Sequence, residues 1–247
     1  MGFQQALLDV TFALLEKLLV YPMSIIKRLL PTSIARKVAM ALSALFLMVF
    51  LFQHFIINFM SVFSEDAFNE ASHFMGTNPL IQFVMQPVLM FGVAFHFVMG
   101  FILELKNKSA RPEKYAMYKG SANSSWMSRN MIWSGLFILG FLAFHLWDFW
   151  LPEMNYKYIQ GNPEDATRYF GEVQHMFANP IRVTVYCLSF VFLALHLLHG
   201  FQSAFQSMGA RHAKYTPAIQ KIGKLYAILI PVGFIFIAVF HFLNGNH

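Results

Sequence analysis

Five stretches of about twenty apolar residues, at 38–62, 80–103, 129–150, 182–206 and 225–243, limit what this chain can become. At 1.5 Å per residue, a helix of ~20 residues matches the ~30 Å hydrocarbon core of a bilayer. Lipid offers backbone N–H and C=O groups no partners, so each span must satisfy its own as a helix. The expectation is an all-α integral membrane protein with five transmembrane helices. Charged residues make up only 12% of the 247, about half the share of a soluble domain, so no large soluble domain fits beside the spans. Pro231 and Gly233 interrupt the last run, as membrane helices tolerate.

A net charge of +6 invites a nucleic-acid reading, but its distribution excludes one. Lys17, Lys27, Arg28, Arg36 and Lys37 precede the first run, and Lys106, Lys108, Arg111, Lys114 and Lys119 follow the second. Arg211, Lys214, Lys221 and Lys224 lie between the fourth and fifth. The other two connections are acidic or mixed, with Glu65, Asp66 and Glu70 in one and Glu153, Glu164, Asp165 and Glu172 in the other. Basic loops alternate with acidic ones, which puts the N-terminus in the cytoplasm and the C-terminus outside. Cys187 is the single cysteine, which rules out an intrachain disulfide and a thiolate metal cluster.

Residues 1–31 read as an amphipathic interfacial helix, because Leu7, Leu8, Phe12, Leu15, Leu18 and Leu19 recur at helical spacing. Asp9, Glu16, Lys17 and Pro22 argue against a signal peptide. Residues 32–247 then form the membrane domain, opened by the stop-and-start sequence Pro31-Thr32-Ser33. Short helices are expected at 65–75 and 164–177, and 104–128 reads as a solvated cytoplasmic docking loop. Trp126, Trp133, Trp147 and Trp150 fall near span ends, as an aromatic belt would place them.

Four of the five runs carry a histidine deep inside: His54, His96, His145 and His196. An ionisable side chain at such depth is costly and marks function by default. The alternating direction of the spans sets the depths. His54 lies ~24 Å from the cytoplasmic edge, with His145 at a similar height, while His96 lies ~12 Å and His196 ~15 Å deep. The four imidazoles thus form an outer pair, His54/His145, and an inner pair, His96/His196. Zinc would want more ligands in a tetrahedral site. Two neutral imidazoles facing each other from separate helices suit a haem iron in a bundle interior. His96 and His196 also share the pattern His-x-x-x-Gly-Phe, in which Gly100 and Gly200, one turn away, leave room for a porphyrin edge or a close helix. His199 shares the face of His196 and is a candidate for a haem propionate contact. His241 reads as a lone interfacial residue on the fifth span, and His73, His175, His212 and His247 as solvated.

The order of these features resembles the cytochrome b membrane anchor of the single-subunit, two-haem (type B) succinate:quinone and quinol:fumarate oxidoreductases. The likeness covers most of residues 36–243 and rests on His54-Phe55, Phe95-His96-Phe97, Gly140-Phe-Leu-Ala-Phe-His145-Leu and His196 with Gly200 and Gly209. It implies two b haems in a five-span bundle, a flavoprotein subunit carrying FAD, and an iron–sulfur subunit, both on the basic cytoplasmic face of a bacterial inner membrane. Electrons from the iron–sulfur clusters would reach menaquinone near the outer haem. Glu70, His73, Trp147 and Asp148 are the candidates for lining that quinone site, with Glu70 and His73 for its protonation. Some fumarate-reducing members carry a Glu two residues before the fourth ligand. Ala194 stands there in this chain, which favours succinate oxidation over the reverse reaction. The cytochrome b of another quinone-linked dehydrogenase, and a haem-free transporter or scaffold with structural histidines, are the competing readings.

Overall fold

A computed structural model describes residue 30 and residues 32–109, 130–210 and 212–245. The expected helix at 1–31, most of the loop at 104–128, Trp126 and His247 lie outside these residues. The described chain contains five helices long and apolar enough to cross a membrane, covering Ser33–Met60, Ile81–Asn107, Met131–Ile159, Pro180–Ser207 and Thr216–Asn244.

Four of the helices begin at a side chain that accepts from their orphan N–H groups. α1 (Ser33–Met60) is capped by Thr32, whose hydroxyl accepts from the Ala35 amide at 3.0 Å. α2 (Glu65–Thr77) is capped by Ser64, and Glu65 and Asp66 add negative charge in its first turn, complementing the helix dipole. Asn78 opens the next helix, which passes one wide π turn (Ile81–Met85) before continuing as α3 (Gln86–Ser109). α4 (Met131–His145) runs on through a π turn at Leu146–Trp150, a short α segment at Leu151–Met154 and a second π turn at Asn155–Ile159. α5 (Arg168–Phe177) is short. α6 (Pro180–Ser207) combines an Asn179 cap with Pro180 in its first turn, and Gly209 (φ 80°) follows it in the left-handed conformation. α7 (Thr216–Asn244) carries Pro231 in its interior.

α1, α3, α4 and α6 form a closed ring in which each packs on the next, and α7 lies outside it against α6 and α1. α2 and α5 pack on each other at one end, the outer end of the sequence-derived topology. The larger core lies there, where Phe68, Phe177, Tyr186, Phe190, Phe234 and Ile237 interlock. The inner core is built of smaller residues, Ala41, Ala204 and Ala227 among them, which let apolar helices approach closely. Gly233 faces the Phe55 ring so closely that a Cβ there would collide with it.

Three boundaries differ from the sequence expectation. The third apolar run ends near 150, yet its helix continues to Ile159, so the irregular part of the outer connection shrinks to 160–167. The fifth helix starts at Thr216 rather than near 225, because a Pro at its start and a polar first turn extend it beyond the apolar stretch. The surface helix expected from 164 starts at Arg168, since Asp165 instead accepts from the amide and hydroxyl of Thr167.

Candidate functional site

The two histidine pairs span the two diagonals of the ring. His54 of α1 meets His145 of α4 with ring centres 5.8 Å apart, and His96 of α3 meets His196 of α6 at 6.3 Å. The rings stand nearly perpendicular, at 81° and 70°. It is His196, not His199, whose ring meets His96.

In the inner pair, each imidazole has one nitrogen engaged. The Ser43 hydroxyl lies 3.1 Å from His96 Nδ1 and donates its only proton to the Met40 carbonyl at 2.8 Å. Ser43 therefore accepts from Nδ1–H, which leaves Nε2 of His96 with its lone pair bare. Ser134 repeats this, 3.2 Å from His196 Nδ1 while donating to the Met131 carbonyl at 2.9 Å. The glycines follow the same symmetry. A Cβ on Gly100 would touch the methyl of Met40 at 3.5 Å, and one on Gly200 the methyl of Met131 at 3.5 Å. Both glycines thus seat a methionine of the adjacent helix.

The outer pair is held differently. Asn58, one turn beyond His54, donates to the His54 carbonyl at 2.8 Å, with its amide nitrogen 3.4 Å from both ring nitrogens. His145 Nδ1 lies 3.4 Å from the Tyr186 hydroxyl, which donates to Asp148 Oδ2 at 3.2 Å. Asp148 Oδ1 accepts from Arg182 Nε at 3.2 Å. The Asp148 carboxylate is fully buried, whereas Arg182 is 35% exposed. A four-residue chain therefore runs from a buried imidazole to the surface.

The four quinone-site candidates do not converge. Asp148 is buried in that ion pair, while Trp147, its neighbour, is 67% exposed on the bundle surface. Glu70 is exposed and does not line the cavity that His73 lines. That cavity, of about 210 Å³ at the outer end, is bordered by His73, Gln82, Tyr156, Tyr158, Arg168 and Tyr169 among others. His73 Nε2 stands 3.8 Å from Glu164, and its Nδ1 is buried without a hydrogen-bond partner. The cavity wall is ordered by charge. Arg168 pairs with Glu153 and Glu172 and stacks over Tyr156 at 4.2 Å and Tyr169 at 4.4 Å. Burial alone would lower the Arg168 pKa, but hydrogen bonds to Glu153 and Glu172 outweigh it and raise it above its ordinary value. Burial, then the Glu153 charge, pushes the Tyr169 phenol up.

His241 corrects the sequence reading. Far from lying at an interface, it is fully buried, donating from Nε2 to Ser61 at 2.8 Å, with Phe177 stacked on it. Ser61 itself donates to the Asn58 carbonyl, so His241 is tied to the loop end of α1. Sequence reasoning also missed Ser43 and Ser134, although a signal was present. Met40 and Ser43 precede His54 at the same spacing at which Met131 and Ser134 precede His145, so Met-x-x-Ser followed eleven residues later by His occurs twice. With His-x-x-x-Gly-Phe on α3 and α6, the same two patterns thus recur on α1–α3 and on α4–α6.

Comparison with protein-family models, with curated proteins and with solved structures found no match. An ion held ~2 Å from one nitrogen of each ring leaves two imidazole centres about 6 Å apart, whatever the angle between the rings. Both pairs meet that spacing, and three of the four imidazoles have Nδ1 engaged and Nε2 bare. Among the described residues no group of three or more His, Cys, Asp or Glu gathers, as a structural zinc would need. The donor set fits a bis-imidazole iron, which His54/His145 and His96/His196 would hold.

Proposed function

We propose that this chain is the membrane anchor and dihaem cytochrome b subunit of a succinate:menaquinone oxidoreductase in a bacterial inner membrane. The observation that carries this reading is the pair of facing histidines on each diagonal, 5.8 and 6.3 Å apart, inside helices apolar enough to span a bilayer. Haem b, when bound, supplies one-electron redox centres at two heights. The chain's own part is to hold His96, His145 and His196 as their Nδ1–H tautomers and to pack Phe50, Phe141 and Phe234 around the outer rings. The basic loops face the cytoplasm and take the iron–sulfur and flavoprotein subunits. The cavity beside His73 supports an outer position for the menaquinone head group, since tyrosines and a histidine offer both aromatic walls and hydrogen bonds. Ala194 in place of an acid favours succinate oxidation over fumarate reduction.

A visible spectrum of the purified protein tests the reading. Two b haems per chain and succinate-dependent menaquinone reduction by the co-purified complex are expected. A haem-free preparation of folded protein sinks the proposal. Two haems without succinate activity would move the chain to another quinone-linked dehydrogenase.

A further inference from the structure

The four histidines are related by the internal repeat, but their supports are not. Counting back ten residues from His196 reaches Tyr186, and fourteen reaches Arg182. The same counts from His96 reach Gln86 and Gln82. Three residues beyond His145 stands Asp148; three beyond His54 stands Ile57. The Tyr–Asp–Arg chain thus belongs to one half only. Its placement is local geometry. His145 and Asp148 share a face of α4 at i and i+3, and Arg182 and Tyr186 share a face of α6 at i and i+4. The two faces interdigitate, so that each α6 side chain meets an α4 partner. The π turn at Leu146–Trp150 starts directly after His145 and carries Asp148 inward while Trp147 turns out.

We infer that Asp148 and Tyr186 are positioning residues that make His145 the most electron-rich of the four imidazoles. The inference rests on the haem reading above. Ser43 and Ser134 are neutral acceptors whose protons go to main-chain carbonyls. Tyr186 is an acceptor whose own proton is drawn by a fully buried carboxylate. Hydrogen bonds in such a chain polarise one another. An imidazole that gives its Nδ1–H to a more basic partner becomes a stronger donor at Nε2, and a stronger donor favours the oxidised metal. Arg182 moderates the carboxylate but is one-third exposed, so solvent weakens its counter-effect. The outer centre is therefore held harder to reduce than it would be with a serine in place of Tyr186.

Redox titration of the whole purified complex, followed at the haem bands, tests this in the native protein, in Tyr186→Phe, in Asp148→Asn and in the double variant. His54→Ala assigns which wave is the outer one. The outer wave is expected to rise in both single variants by at least a tenfold change in the reduced-to-oxidised ratio, ~59 mV for one electron, with the inner wave fixed. The double variant should move no further than Tyr186→Phe, because Asp148 acts through the hydroxyl. Unmoved waves, equal movement of both waves, or additive shifts overturn the inference. If Asp148→Asn fails to assemble, Tyr186→Phe decides alone, since it removes a hydroxyl and no charge. A native complex with no haem would refute the haem reading itself, and is told apart by its spectrum before any titration.

Discussion

The inner and outer histidine pairs sit in one ring of helices at nearly the same ring spacing, yet they are held by opposite strategies. The inner pair is symmetric, neutral and locally closed. Each imidazole leans on a serine whose proton is consumed on its own helix, and each neighbouring glycine seats a methionine. The outer pair is one-sided and charged, with a carboxylate buried beneath it and an arginine at the surface. A repeated helix pair puts two like histidines into each layer; asymmetry then comes from side chains present in one copy only. The inner layer keeps the repeat, and the outer layer departs from it.

The largest expected effect that separates the layers is on cofactor content. His96→Ala or His196→Ala should halve the haem per chain and leave the outer centre, while His54→Ala or His145→Ala should do the reverse. His199→Ala should retain both. Loss of haem in His199→Ala alone would move the α6 ligand by one turn and break the repeat.

Stability should separate them next. Arg182→Ala strands the buried Asp148 carboxylate and is expected to cost about 3 kcal/mol, the low end for a broken buried pair because Arg182 is partly exposed. Ser43→Ala and Ser134→Ala should each cost ~1 kcal/mol and match one another. Denaturation of detergent-solubilised protein measures all three. Unequal serine values would show that the inner mirror is only apparent.

How much of this was legible beforehand follows from what sequence patterns encode. Run length and charge alternation report what a bilayer demands of every span, and the depth of each histidine follows from helical rise. That is why the diagonal partners of His54 and His96 could be named from spacing alone. Lateral contacts are a different matter. Nothing in the run around His241 shows that Ser61, 180 residues away, lies against it. Asp148 read as a quinone-site candidate near the end of its span, whereas the helix goes on by π turns that an apolar count cannot detect and buries it against Tyr186 and Arg182. Ser43 and Ser134 were visible only as an internal repeat, and a short polar side chain in an apolar run draws no notice singly.

Smaller effects test the packing that both layers share. Gly233→Ala drives a methyl into the Phe55 ring beside the outer pair and should cost about 1–3 kcal/mol. Gly140→Ala, where a Cβ would meet nothing within 4 Å beyond its chain neighbours and its own helix's backbone, should be near neutral. Helix propensity favours Ala at both positions, so a penalty at Gly140 as large as at Gly233 would show that the α1–α7 contact is not what decides.

The smallest effect belongs to the outer loop. Hydrogen bonds from the Thr167 amide and hydroxyl hold Asp165 below the usual carboxylate range. A depressed carboxyl stabilises the turn above its ordinary pKa and loses that contribution as pH falls through the folded value. Protection of the Thr167 amide, taken relative to its intrinsic exchange rate at each pH, should therefore fall on acidification, with the haem spectrum unchanged. Protection indifferent to pH would contradict this.

α7 supplies none of the proposed ligands, yet it fastens to α1 at three heights. Tyr226 donates to the Met48 carbonyl at 2.6 Å, Gly233 lies under Phe55, and His241 reaches Ser61 at 2.8 Å. Phe234 of α7 also covers the His54 ring, with centres 5.8 Å apart. Chains emerge from the ribosome N-terminus first, so α1 is made early and α7 after every other helix described here. Until that last segment arrives, one flank of the outer pair stays uncovered. Under the proposed function, the order of synthesis would leave a side door through which a flat, bulky cofactor reaches His54, and the final helix would shut it.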